Sequence, residues 1–285
     1  MGFFKWMIPA VIGLSLYKAH RNTKQAVVNY VSPNRTCRGK GGPYLKVLHL
    51  SDLHLEKISV SPGRLYDLLK DESIDLIALT GDFLDRKKTI PRLVPYLKQL
   101  RRLQPKYGMF AVFGNHDYVL DRDSFAKLQQ TLEQAGVTTL RNENRRLDVD
   151  GHPLHIIGID DYSTGRSRLL QSFRNVKDGF RLILTHDPNL VLEMKQHPFD
   201  YLLSGHFHGG QICWPKPYHM AKTMGKLVRM NMLKGLHHVD GKPFYINEGL
   251  GQSAVNLRIG SRPEITIHSF RLKAMEAETY EAAAT

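Results

Sequence analysis

Cysteine is scarce in this sequence of 285 residues, which contains only Cys37 and Cys213. Two cysteines cannot build the disulfide framework of a small secreted protein. Neither of them belongs to a C-x-x-C pair, the usual source of thiolate ligands in a structural zinc site. We therefore expect both thiols to be reduced and to take no part in the chemistry of the protein.

The hydrophobic run near the N-terminus is short. Its apolar core covers residues 6–17, whereas a helix needs roughly 20 residues to cross the hydrocarbon layer of a membrane. No small-residue cleavage site follows it and no Arg-Arg pair precedes it, which disfavours a removable signal. We expect residues 1–20 to be an apolar membrane-anchor segment that either spans the bilayer or lies on it. A helix inside the core fits less well, because the basic flank needs solvent.

Acidic residues are missing from two basic segments. Residues 18–46 hold seven Lys or Arg and residues 212–235 hold five, and these account for most of the net charge of +13. Such concentrated charge favours an anionic surface, either phospholipid headgroups or nucleic acid, although solvated lysines without a partner are an alternative. The heavier charge on the C-terminal side of the anchor predicts that the main domain faces the cytoplasm.

The rest of the chain alternates predicted strands with predicted helices, which indicates an α/β fold with a full hydrophobic core. We divide it into a basic linker (21–44), one main domain (45–272) and a tail (273–285). Within the domain, residues 212–235 interleave Met and aromatic residues with the basic ones. They are interpreted as a cap over an amphiphilic ligand or a membrane face, or else as part of the core.

Residues that favour metal ions follow five of the predicted strands. The sequence Gly114-Asn115-His116-Asp117 comes directly after the apolar run 109–113 and is the centre of this pattern. The carboxyl ends of parallel strands meet at one rim of a sheet, so the scattered side chains are expected to converge there. Mixed imidazole and carboxylate ligands suit Mn, Fe, Zn or Co better than Mg or Ca. The candidate ligands are Asp52, His54, Asp82, Asn115, His186, His206 and His208.

Taken together and in order, these motifs resemble those of the calcineurin-like metallophosphoesterase superfamily over roughly residues 45–270. Residues 205–212, 248–252 and 262–265 resemble its membrane-associated phosphodiesterase branch, which includes enzymes acting on UDP-2,3-diacylglucosamine. The resemblance implies a four-layer αββα sandwich, with two inner sheets flanked by helices. It also implies a dinuclear centre with two divalent ions, Mn, Zn or Fe.

The same resemblance assigns a role to each candidate residue. Asp52, His54 and His208 would hold one ion. The other would be held by Asn115, His186 and His206, with Asp82 bridging the two. A metal-bridging hydroxide would be the nucleophile. The remaining two residues of the central motif are the candidate catalytic pair: His116 would stabilise the substrate phosphate or protonate the leaving oxygen, and Asp117 would orient its ring.

The sequence therefore predicts a metal-dependent phosphoesterase that acts at an anionic lipid membrane surface. Its expected substrate is phospholipid-like or a lipid-linked (nucleotide) diphosphate. One alternative is a soluble-substrate phosphodiesterase or nuclease acting on nucleotides or nucleic acid, which the absence of a nucleic-acid module disfavours. Another alternative is a non-catalytic scaffold with the same fold. Such a protein would be expected to have lost some of the metal ligands.

Overall fold

The computed structural model describes residues 2–33, 42–213 and 224–272, and describes side chains from residue 8 onward. Predictions about the tail, residues 34–41 of the linker and residues 214–223 of the cap lie outside the described residues. Within the described part, the strands form two six-stranded mixed sheets. The predicted α/β class is therefore confirmed.

The first sheet has the strand order β1-β12-β2-β3-β4-β5. Strands β2 to β5 are parallel, β12 runs antiparallel to β2, and β1 runs parallel to β12. The strands are β1 (Val27–Val31), β2 (Tyr44–Leu50), β3 (Leu76–Thr80), β4 (Met109–Val112), β5 (Val137–Thr139) and β12 (Glu264–Arg271). Part of the segment predicted to be a linker is thus an edge strand, because residues 27–31 pair with β12.

The second sheet has the strand order β10-β11-β9-β8-β7-β6. Its four central strands are parallel, and β6 and β10 close its edges in antiparallel pairs. The strands are β6 (Glu143–Val149), β7 (His152–Gly158), β8 (Phe180–Leu184), β9 (Tyr201–Ser204), β10 (Gly235–Val239) and β11 (Lys242–Ile246). Strands β2, β3, β4, β8 and β9 end in the polar motifs identified in the sequence.

Local signals explain where the longer helices begin. Ser61 accepts a hydrogen bond from Arg64 N at the start of α2, and Asp121 accepts one from Ser124 N at the start of α4. These side chains satisfy backbone N–H groups that a first helical turn leaves unpaired. The helices are α1 (Gly2–Asn22), α2 (Pro62–Leu69), α3 (Ile90–Arg102), α4 (Arg122–Gln134), α5 (Leu169–Ser172) and α6 (Lys226–Arg229). Short 3-10 helices cover Lys87–Thr89, Asp117–Val119, Pro188–Glu193 and His208–Gly210.

Three hydrophobic clusters hold these elements together. One joins the first sheet to α2, α3 and α4, and includes Leu65, Leu93 and Leu128. A second contains residues of both sheets, such as Val47 and Ile156, so the two sheets share a buried interface. The third lies with the second sheet and the segments 188–194 and 227–233. Burial of this apolar surface is the main driving force for the fold.

Helix α1 differs from the others because most of its described length is exposed. Ile8, Leu14 and Tyr17 are each more than half exposed. The helix is fixed at its C-terminal end, where Arg258 N donates to Ala19 O (3.0 Å) and Asn22 Nδ2 donates to Arg258 O (2.9 Å). Among the described residues, no helix combines the length and the apolar character required to cross a membrane.

Candidate metal centre

Glycine-containing turns carry the candidate ligands at the ends of the parallel strands. A Cβ at Gly114 would overlap Asp82 Oδ1 and lie 2.7 Å from the His186 ring, and a Cβ at Gly205 would overlap Ser51 and Asp52. Only glycine fits such close approaches between strand ends. Five candidate ligands adopt left-handed backbone conformations, which L-residues disfavour and which often mark functional sites. They are Asp52, His54, Asp82, His206 and His208.

The first group of ligands consists of Asp52, His54 and His208, all of which are buried. His208 Nε2 lies 3.3 Å from Asp52 Oδ1 and 3.1 Å from His54 Nε2. The three side chains come from the end of β2 and from the turn after β9. The structure thus brings together the three residues expected to hold one ion.

The second group consists of Asp82, His186 and His206, which are also buried. His186 Nε2 lies 3.1 Å from Asp82 Oδ2 and 3.1 Å from His206 Nδ1. The other ring nitrogen of His186, Nδ1, lies 2.7 Å from Thr80 O. A hydrogen bond to that carbonyl fixes a proton on Nδ1 and turns Nε2 towards Asp82. Burial lowers the pKa of His186, but the facing Asp82 carboxylate outweighs it and raises this pKa well above its ordinary value, so a metal ion at Nε2 would displace a proton.

Asp82 connects the two groups. Its Oδ2 lies 3.1 Å from His186 Nε2 and 3.6 Å from His54 Nε2, while its Oδ1 accepts a hydrogen bond from His116 N (2.9 Å). Oδ2 therefore faces the imidazoles of both groups, as a bridging carboxylate would. The neighbouring Asn115 Oδ1 is buried and has no hydrogen-bond partner among the described residues.

The protonation states of these side chains suit the binding of divalent cations. Burial lowers the pKa of His206, and it lowers the pKa of His208 to about 3, so both rings are neutral at pH 7. Burial alone would raise the pKa of Asp82, but the facing His186 and His54 hold it well below its ordinary value. The neutral rings of His206 and His208, the ionised carboxylates and an unpartnered amide oxygen in one buried space suit a transition-metal site.

His116 lies beside this centre and is about one third exposed. Its Nδ1 is 3.0 Å from Asp85 Oδ1, and the same oxygen is 3.4 Å from His54 Nδ1. The hydrogen bond to Asp85 is the main cause that raises the pKa of His116 to about 9. The ring is therefore a cation at neutral pH and can donate a proton to an anionic ligand.

The prediction that Asp117 orients the His116 ring is wrong. Asp117 begins a 3-10 helix and turns its buried carboxylate under the neighbouring turn, where it accepts hydrogen bonds from the backbone N–H groups of Asp82, Phe83, Leu84 and Gly114 (2.8–3.3 Å). Asp117 therefore fixes the backbone that carries Asp82, and the partner of His116 is Asp85. Asp85 belongs to the same Gly81–Asp85 stretch as Asp82, but nothing in that stretch marks it as the partner of a histidine 31 positions later.

Arg258 is a second residue that the sequence did not identify. Its side chain is completely buried and donates to the carbonyl oxygens of Gly249 (2.9 Å) and Gly251 (2.6 Å), among others. Gly251 N in turn donates to Asp52 O (2.7 Å). Arg258 thus holds the turn that packs against the first ligand group. Because its own N–H bonds Ala19 O, it also joins that turn to the end of α1.

Comparison with known proteins gives a consistent result. The sequence pattern of the family described as calcineurin-like phosphoesterase matches residues 45–210. The chain is 60% identical to the uncharacterized metallophosphoesterase YkoQ of Bacillus subtilis, over 89% of this chain and 93% of that protein. It is 29% identical to the uncharacterized metallophosphoesterase YkuE of the same organism, over 79% of each chain. It is 28% identical to the phosphodiesterase YaeI of Escherichia coli, over 78% of this chain and 80% of that one.

Proposed function

This chain belongs to the calcineurin-like phosphoesterase family and is a metal-dependent phosphoester hydrolase, and we propose that it cleaves a P–O bond in a phospholipid-like or lipid-linked diphosphate at an anionic membrane surface. The observation that carries the reaction class is the pair of ligand groups on either side of Asp82 Oδ2. The observation that carries the lipid part is the exposed apolar helix α1. The relative named phosphodiesterase supports a diester or diphosphate as the bond that is cleaved.

We assign two divalent ions, Mn, Zn or Fe, to the centre. Asp52, His54 and His208 would hold one ion, and the other would be held by Asn115, His186 and His206, with Asp82 shared by both. Bound ions would stabilise the negative charge that develops on the phosphate oxygens. They would also lower the pKa of a bound water towards neutral pH. The unpartnered Asn115 Oδ1 supports its place among the ligands, because a buried amide oxygen without a partner costs free energy.

The protein's own residues prepare the site for the leaving group. His116 is positively charged and partly exposed beside the ligand groups, so it can bind a substrate oxygen and donate its Nε2 proton to the departing oxygen. Asp85 holds the ring by Nδ1, which leaves Nε2 directed away from that contact. His54 contacts the same Asp85 oxygen, so one carboxylate sets the positions of a candidate ligand and of the candidate acid.

Two features of the structure support placement at a membrane. Helix α1 leads into β1, and β1 begins at the end of the sheet where β2 finishes, so α1 leaves the body at the rim that carries the ligands. Exposed Lys18, Arg21 and Lys24 follow the exposed apolar residues. Apolar side chains next to a basic flank suit a helix that lies in the interface of an anionic bilayer. We place the catalytic domain on the cytoplasmic side.

The proposal also includes the four-layer αββα arrangement. The hydrophobic cluster that both sheets share supports two inner layers. Clusters that join the first sheet to α2, α3 and α4, and the second sheet to the segment 188–194, support the outer ones. In this arrangement the ligand-bearing rim of both sheets opens at one edge of the domain, which gives a bulky substrate access.

The reaction class is tested with protein reconstituted with Mn²⁺, Zn²⁺ or Fe²⁺. We expect hydrolysis of bis(p-nitrophenyl) phosphate that disappears with EDTA and returns when metal is added. A panel of phospholipids, nucleotide-linked lipids and single-stranded DNA, with products identified by mass, then tests the substrate class. Turnover of DNA in preference to every lipid would overturn the lipid proposal, and metal-independent turnover would overturn the mechanism.

The membrane role of α1 is tested by replacing two exposed apolar residues, Ile12→Glu with Leu14→Glu. We expect the double variant to lose most of its binding to anionic phospholipid vesicles, because two charges would have to enter the apolar interface. Turnover of a vesicle-borne substrate should fall relative to that of a soluble diester. Val94→Glu is the control for a new charge elsewhere, since Val94 on α3 is exposed to a similar extent as Ile12 (51% against 53%). Equal loss with both substrates would contradict membrane placement.

A further inference from the structure

The rim of the two sheets continues beyond the metal centre, where an arginine follows β5 and an aspartate follows β7. Strand β5 pairs with β4 with Ala111 opposite Thr139, so Arg141 follows β5 at the level where the chain after β4 enters the motif 114–117. In the second sheet, Asp160 after β7 is the neighbour of His186 after β8. Adjacent strands lie about 4.8 Å apart. Arg141 and Asp160 therefore follow the strands next to those that lead to His116 and His186, and β5 lies at the opposite edge of the first sheet from β1 and α1.

A tyrosine two residues after His116 fixes the positions of two guanidinium groups. The guanidinium carbon of Arg166 lies 4.2 Å from the centre of the Tyr118 ring, and that of Arg141 lies 5.7 Å from it. Tyr118 is held in turn, because its ring stacks on Phe125 (4.8 Å) and its hydroxyl donates to Asp160 Oδ1. Arginine stacked on a fixed aromatic face loses little conformational freedom when it binds an anion.

Asn142 fixes the two loops that carry these arginines. Its side-chain oxygen accepts hydrogen bonds from Asp160 N (3.2 Å) and Arg168 N (2.8 Å), and its amide nitrogen donates to Arg166 O (2.9 Å). Asn142 is itself buried. One buried amide thus joins the turn after β5 to the loop after β7. The arginine pair is part of a preformed rim and does not sit on two independent loops.

The donors of these arginines are only partly used. Arg141 Nε contacts Tyr118 Oη (3.2 Å) and Asp160 Oδ2 (3.6 Å), and Arg166 Nη1 donates to Thr164 O (3.3 Å). None of the hydrogen bonds among the described residues uses the terminal nitrogens of Arg141 or Nη2 of Arg166. Both side chains are exposed. Asp160 offsets one of the two charges, so the group keeps an excess positive charge facing solvent.

We propose that Arg141 and Arg166 form a subsite for a second phosphate of the substrate, next to the phosphate that is hydrolysed at the metal centre. A guanidinium fork matches two oxygens of a phosphate group and gives charge-assisted hydrogen bonds. A diphosphate would place one phosphorus at the metal centre and the next towards β5 and β7. This inference rests on the proposed function and narrows it to substrates with two adjacent phosphates.

The test compares the binding of imidodiphosphate, which carries two phosphorus centres, with that of orthophosphate. Calorimetry on metal-loaded protein gives both dissociation constants without any turnover. The double variant Arg141→Gln with Arg166→Gln should weaken imidodiphosphate binding by about 10-fold or more, as expected for loss of charged hydrogen bonds. The ratio of the two dissociation constants should change by a similar factor. Arg141→Lys with Arg166→Lys should restore part of the loss, because charge returns without the planar fork.

Arg102→Gln is the matched control, because Arg102 also stacks on a tyrosine ring (Tyr66, 3.8 Å) but belongs to α3. It should leave the ratio unchanged. An equal change for both anions, or no change for either in the double variant, would overturn the subsite. Failure of the proposed function is a separate observation, since it would be seen as absence of metal-dependent diester hydrolysis in the unmodified protein.

Discussion

Asp82→Ala is expected to release most of the bound metal and to lower kcat by about a thousandfold or more. Asp82 Oδ2 faces His186 and His54 at 3.1 and 3.6 Å, so it is the one carboxylate oxygen shared by both ligand groups. In the proposed assignment of two ions, neither ion would then have its full set of ligands. The measurement is metal content per chain by mass spectrometry after dialysis, together with kcat for bis(p-nitrophenyl) phosphate.

The matched control for this variant is Asp67→Ala, an exposed aspartate on α2. It should keep both metal content and kcat. The melting temperature of Asp82→Ala should also be measured. We expect the turn to keep its conformation, because the backbone N–H of residue 82 can still donate to the Asp117 carboxylate. A folded Asp82→Ala protein with unchanged metal content would mean that the two ligand groups are not the metal centre.

The location of the candidate site could be predicted from sequence because it depends on a simple rule. An apolar run followed by a polar, metal-favouring residue marks the end of a parallel strand, and such ends meet at one rim. The six residues of the two ligand groups are spread over more than 150 positions, yet their donor atoms lie within 4.8 Å of one another in each group. Periodicity alone could not divide the strands between two sheets; that expectation came from the family resemblance.

The partner of His116 could not be predicted, because adjacency in sequence does not give side-chain direction. Asp117 follows His116 directly, but the 3-10 helix that it begins turns the two side chains apart. Asp85, the actual partner, comes from the turn after β3. Arg258 was missed for a related reason. An arginine is usually a surface residue, and only the fold shows that this one is buried among carbonyl oxygens.

The edge strand β1 was missed because it lies in a segment dominated by basic residues. Its sequence, Val-Val-Asn-Tyr-Val, does have high β propensity, but the basic residues on either side led to its interpretation as part of a linker. Its partner β12 is more than 230 positions away, and pairing over that distance leaves no local signal. Because β1 begins at the end of the sheet where β2 finishes, it brings the exposed helix α1 to the rim that carries the ligands.

His116→Ala is expected to lower kcat by about 10²- to 10⁴-fold while both ions remain bound. Its ring is cationic at neutral pH because Asp85 bonds Nδ1 and raises its pKa, so its loss removes a proton donor and a positive charge beside the substrate. Asp85→Asn should lower kcat less, because the ring stays in place but loses its charged partner. The measurements are kcat, KM and metal content for each variant.

His238→Ala provides the control for His116→Ala, since His238 is exposed on β10 and lies outside the ligand groups. It should leave kcat and metal content unchanged. The competing interpretation is that His116 is itself a ligand, because atoms of His54, Asp82 and His116 also lie within 4.8 Å of one another. Loss of one ion per chain in His116→Ala would favour that interpretation. Retention of both ions with a large loss of kcat means that this ring acts on the substrate, and its hydrogen bond to Asp85 is then part of the catalytic apparatus.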